Sequence, residues 1–219
     1  MNASPHMQRL VAKFALYMAI LGTVVGELHA LARIETSPED LELPLTRAWA
    51  VPAAKVLRPL LAWADPDTVY LTYGKIWFPV FAAFTLAAFV VYQNRRPAGF
   101  EKWAWRVALT GYVIATASVI GEYYTPYLDE SFLFVALPGL LLTALGSTAL
   151  GIALLKNRFR PIATGLLLVG FFPLFFAITQ VTSMGNVVLP LVWGWTLAVR
   201  RVTRELPADE VAAIRAAAG

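Results

Sequence analysis

Two glutamates in this chain stand inside apolar stretches, each directly after a glycine. Glu27 lies in GTVVGELHA, residues 22–30, and Glu122 ends YVIATASVIGE, residues 112–122. An ionisable side chain is expensive in hydrocarbon, so each carboxylate needs a physical reason to be there. Facing one cavity, the two could share a proton, bind a cation or divide acid and base roles. Set just inside a headgroup layer, they would instead be solvated, or paired with Lys75, Arg33 or a tyrosine hydroxyl. The residues allow both arrangements. Their settings are alike: YMAILGTVVGE, residues 17–27, matches residues 112–122 at Tyr, Thr/Ser, Val, Val/Ile, Gly and Glu in register.

His29 is one of only two histidines. It follows Glu27 by two positions, about 200° round a helix, so the pair cannot chelate one ion unless the helix unwinds. The other, His6, falls in the basic N-terminal segment, which excludes a haem held by both. No metal and no other cofactor is expected. A hydrogen-bonding or pH-responsive role fits His29, as does plain packing. Cysteine is absent, which removes disulfides, thiolate catalysis and Cys-ligated metals. The remaining polar candidates are Lys75, Tyr123, Tyr124, Gln180 and Asn186.

The elements that hold these groups follow from composition. The chain is 58% hydrophobic and only 15% charged, more apolar than one soluble core can bury. Its apolar residues fall in blocks of roughly 20, the length that crosses ~30 Å of hydrocarbon. The expected fold is an all-α integral membrane protein with six transmembrane helices, at about 10–32, 70–92, 103–124, 132–155, 162–181 and 186–199. Residues 1–204 would form a single bundle domain, and 205–219 a short cytoplasmic tail. Residues 1–32 also fit a signal peptide cut after Ala32, although the apolar run is long for one.

Residues 33–68 form the one long hydrophilic section. Ser37-Pro38-Glu39-Asp40 has the order of a helix start, with Ser37 as N-cap. Trp49, Val56, Leu57, Leu60, Leu61 and Trp63, mixed with Arg47, Lys55 and Arg58, suit a helix lying in the membrane interface. Two stripes of small residues allow close helix approach: Ala15, Ala19, Gly22 and Gly26 with His29, and Gly139, Thr143, Ser147 and Gly151. Pro173 should kink the fifth helix. Tyr70, Tyr73 and Trp77 on one side, and Tyr92, Trp103 and Trp105 on the other, read as interfacial aromatic belts.

Lys and Arg cluster at the N-terminus, at 95–106, at 156–160 and at 200–204, while the loop with Asp129 and Glu130 is acidic. The positive-inside rule then sets both termini in the cytoplasm of a cell membrane and the 33–68 loop outside. Glu27, His29, Lys75, Glu122, Tyr123, Tyr124, Gln180 and Asn186 all come to the outer end. The net charge of +4 is topological and signals no nucleic acid.

Three functions suit such an outward-facing polar cavity. The first is a ligand- or lipid-binding or accessory subunit, with membrane lipids, a partner membrane subunit or a second copy as its partners. The second is a small proton- or cation-coupled transporter using Glu27 and Glu122. The third is a membrane enzyme acting on a lipid or isoprenoid at the outer leaflet. No catalytic residue is assigned, since there is no Ser–His pairing, no phosphate-binding glycine loop and no Asp-rich motif. Single cysteines at Ala98 and Glu130 should react with impermeant thiol reagents from opposite sides. Labelling of both from one side would reject the threading.

Overall fold

A computed structural model describes residues 3–204, so the expected tail at 205–219 lies outside the described residues. Every regular element is helical, with no strand among the described residues. Helix α1 runs Pro5–Thr36, well beyond the expected 10–32. Ser4 caps it by accepting the Met7 N–H, and Pro5 sits where a missing N–H costs nothing. The second crossing is α4 (Pro66–Gly74) and α5 (Trp77–Asn94), broken at Lys75 and Ile76. Helix α6 covers Gly99–Tyr124, and a short α7 (Leu128–Ser131) leads through a π-turn, Phe132–Ala136, into α8 (Leu137–Lys156). Pro138 has no N–H to give, and just before it the Leu137 N–H reaches back five residues to Phe132.

Among the described residues four helices are therefore long and apolar enough to cross a membrane: α1, α4 with α5, α6, and α7 with α8. A fifth is made by α9 (Ile162–Val169) and α10 (Phe171–Thr179), bent by 62° at Gly170. The bend expected from Pro173 is thus present, but centred three residues earlier. A proline ring collides with the carbonyl four positions before it, here Val169, and the chain turns there. The last element is a 3-10 turn, Met184–Val188, and α11 (Leu189–Arg204). The described part of α11, 16 residues, is shorter than a full span, so among the described residues four to five helices meet the length requirement against the six expected.

Helix α11 nevertheless runs back beside α1. Trp193 donates its indole N–H to the Thr23 hydroxyl at 3.1 Å, and the Thr196 hydroxyl bonds the Ala15 carbonyl at 3.2 Å. Arg200 and Arg204 end around one hollow with Arg9 and Lys13, and this is the basic end of the bundle. There Glu101 is 6% exposed and takes two bonds from Arg95, at 2.6 and 3.0 Å, with more from Trp105 and Asn157. A buried carboxylate is tolerable only when so fully paired, and this one ties the α5–α6 turn to the end of α8.

The 33–68 section folds over the opposite, loop end. After α1 come a 3-10 turn at Pro38–Glu42, α2 (Pro44–Val56) and α3 (Arg58–Leu61). Ser37, expected as an N-cap, makes no side-chain cap bond. The apolar residues expected to face the membrane divide. Trp49, Leu57 and Leu61 pack with Leu31, Ala50 and Val69 in a small core of their own, while Val56, Leu60 and Trp63 stay exposed. The Trp49 indole donates to the Val181 carbonyl and the Thr46 hydroxyl to that of Gln180, joining this cap to the end of α10.

The small residues do their work by close backbone approach. On α1, Gly22 lies against Val80, and Gly26 against Trp77 and Asn186. The α8 stripe is shared between two neighbours. Gly139 meets Ile114 and Ala115 of α6, Ser147 bonds the Tyr112 hydroxyl at 2.8 Å, and Gly151 touches Gly165 and Val169 of α9. One turn along, Gly146 leaves no room for a Cβ against the Ala108 backbone. Because that obstacle is backbone, Gly146→Ala should force α6 and α8 apart at a cost of about 1–3 kcal/mol, seen as a lower melting temperature in detergent. Leu145→Ala, on the exposed face one residue away, should leave melting nearly unchanged.

Candidate functional site

His29 is completely enclosed near the loop end, and its two ring nitrogens are both engaged. The Trp77 indole N–H points at Nδ1 at 3.2 Å, and Nε2 lies 3.2 Å from the Tyr123 hydroxyl. Tyr70 stacks on the imidazole with centroids 4.7 Å apart and planes inclined by 21°. Four elements deliver this cluster: α1 brings His29, α4 Tyr70, α5 Trp77 and α6 Tyr123. Helix α4 begins at Asp65, whose carboxylate accepts the Thr68 N–H at 3.0 Å. Hydrogen bonds from the Thr68 side chain and backbone hold this exposed carboxyl below the usual carboxylate range. At the other end of α4, Gly74 lies directly against the Tyr123 ring, where a Cβ would not fit.

These residues form one wall of a cavity of about 450 Å³. Its floor is apolar, built from Phe81, Phe84, Phe132, Leu140 and Phe171. Its upper part carries Arg33, Asp40, Glu122 and Asp129 beside the tyrosines, and Arg33 is bound to Asp40 at 2.9 Å. Beyond the bend from α9, Phe171 and Thr179 of α10 contribute to its lining. Two lining residues, Thr143 and Ser183, carry enclosed hydroxyls with no hydrogen-bond partner among the described residues, and that of Thr143 lies against Gly111 of α6. Buried hydroxyls are almost always bonded, so both are unusual.

The expected candidates separate. Glu122, His29 and Tyr123 line the cavity. Glu27 belongs to another network on the far side of α1, accepting the Asn186 amide at 3.0 Å and the Thr182 hydroxyl at 3.3 Å. Helix geometry explains this division, because residues two apart point nearly oppositely. Asn186 also bonds Thr182 at 2.8 Å, while its own carbonyl oxygen has no partner. Lys75 is exposed, 5.9 Å from the centroid of the Tyr124 ring, and Tyr124 donates to the Lys75 carbonyl at 3.0 Å. Gln180 is exposed and contributes its backbone carbonyl to Thr46.

No protein-family model, curated protein or solved structure matches this chain. The site therefore has to be read from its own geometry.

Sequence reasoning missed Trp77, Tyr70 and Thr143 as site residues. Trp77 and Trp105, taken for belt residues, are wholly buried, and their indole N–H groups bond His29 and Glu101. The signal for Trp77 lay in Gly26, one turn from His29, which makes room for a large ring. No group of histidines and acids among the described residues is arranged to hold a metal ion. Glu27→Gln keeps an oxygen for Asn186 and should change thermal stability little. Glu27→Ala strands buried donors and should cost about 1–3 kcal/mol, measured by unfolding in detergent.

Proposed function

We propose that this protein binds an amphipathic, lipid-like ligand in the cavity beneath the 33–68 cap. The observation that carries the reading is the division of the cavity into an apolar floor and an upper part that bears Arg33, Asp40, Glu122, Asp129 and two tyrosines. A ligand with a polar head and an apolar body satisfies both parts at once. The head meets the tyrosines and Glu122 and the body lies along Phe81, Phe84, Phe132 and Phe171. The volume of about 450 Å³ is within the ~300–1,000 Å³ of ligand pockets.

In the same reading the chain crosses a cell membrane six times, with both ends cytoplasmic and the cavity opening outward. Support comes from the run of α11 beside α1, which gathers Arg9, Lys13, Arg200 and Arg204 at one end. The short connection 125–136 at the other end carries no Lys or Arg, in keeping with positive-inside topology.

The binding reading is tested by native mass spectrometry of protein released from mild detergent. The unmodified chain should retain a bound amphiphile. Val119→Trp, which fills the cavity from α6, and the milder Thr143→Leu should each lose it while keeping their helical circular dichroism. Equal retention in both folded variants, or a cavity holding only water, would overturn the reading.

A further inference from the structure

We infer that the basic hollow between α1 and α11 is a binding site for the phosphate of an anionic phospholipid. It lies at the end of the bundle away from the cavity, and stands whether or not the cavity takes a ligand. The hollow has a volume of about 350 Å³, and four of its lining residues are cationic: Arg9, Lys13, Arg200 and Arg204. On each helix the two cations are four residues apart, so they share one face. The bonds from Trp193 to Thr23 and from Thr196 to Ala15 set the two helices antiparallel. That register brings the start of α1 to the end of α11, and the two basic faces meet across the hollow.

Such an arrangement is costly by itself. Like charges repel at four-residue spacing along a helix, and again across the hollow. Among the described residues no carboxylate lines it, and none of the four cations has an ion-pair partner. The same end of the bundle shows the alternative, because there Arg95 is given Glu101 at 2.6 Å. What the four cations lack is an anion from outside the fold.

Their chemistry and surroundings decide which anion. Three of the four are arginines, whose planar forks match pairs of phosphate oxygens. Arg9 and Arg200 are half-buried, so the anion is held between helices and not on an open surface. Leu16 is also in the lining, and the face that begins at Lys13 and Leu16 continues through Tyr17 and Ile20, which are 65% and 49% exposed. A phosphate carried on acyl chains fits both features, with its head among the cations and its chains along this exposed apolar face. A free phosphate would use only the first. Basic hollows between membrane helices, at the surface of the bilayer, suit anionic headgroups in this way.

The experiment titrates dioleoyl phosphatidylglycerol or dioleoyl phosphatidylcholine into the full chain in dodecyl maltoside micelles, with bound lipid read by native mass spectrometry. Both lipids carry the phosphate, but choline cancels its charge in the second. The anionic lipid should bind about tenfold more tightly. Arg9→Gln with Lys13→Gln, or Arg200→Gln with Arg204→Gln, should each remove most of that preference while keeping helical circular dichroism. Lys102→Gln with Arg106→Gln takes the same charge from an exposed face of α6 at the same end, and should leave the preference intact. Soluble glycerol phosphate at the same concentration should not compete. Equal binding of the two lipids, an equal loss in the α6 variant, or displacement by glycerol phosphate would each overturn the inference. So would a preference that appears only once residues 205–219, with their own acids Glu205, Asp209 and Glu210, are removed.

Discussion

An imidazole shut away from water presents two nitrogens, and neither can be left without a partner in an apolar interior. That requirement at His29 organises the loop end of the bundle. It draws an indole from α5 to one side of the ring and a phenol from α6 to the other, with a second phenol from α4 laid across its face. Four chain segments distant in sequence are thereby held at one depth. The break between α4 and α5 and the glycines at 26 and 74 follow from the need to admit these rings. The cavity is the space left on the open side of the cluster.

The opposite end shows the same constraint met in a different way. Glu101 is enclosed by donors from Arg95, Trp105 and Asn157, so its charge is answered within the protein. Around the cavity the answer is incomplete, since the hydroxyls of Thr143 and Ser183 have no partner among the described residues and the one cation in the lining, Arg33, is shared by Asp40 and Tyr70. With its buried polar groups satisfied at one end and left open at the other, the interior of the bundle is divided into a structural half and a receptive half. Helix α8 belongs to both, with its small residues turned to α6 near the cavity and to α9 near the basic end.

Much of this arrangement was legible in the residues. Apolar blocks gave four of the six expected helices to within about five positions and a bent fifth, though not a full-length sixth, and the glycine stripes gave the close contacts, because both signals are local and repeat with the helix. The site was legible only in part. His29, Glu122 and Tyr123 share the cavity, but Glu27 does not, although the segments ending in Glu27 and Glu122 read almost alike. Their environments differ: Tyr17 is 65% exposed while its counterpart Tyr112 is fully enclosed and bonded to Ser147 and Trp195. Which face a membrane helix turns inward depends on its neighbours, and an apolar sequence carries little of that information. For the same reason Trp77 could not be told from a belt tryptophan, since aromatic rings suit the interface and the core equally well.

The contact between Gly74 and the Tyr123 ring has a consequence for descent. A side chain at 74 and the ring at 123 compete for one volume, so neither position can drift alone. Lineages that keep the tyrosine must keep the glycine. Those that lose the ring are released from it, and lose a partner for an imidazole 94 residues away. The inheritance of this fold should therefore be visible as paired change between two sites almost fifty positions apart, even where the surrounding apolar letters have been exchanged beyond any match.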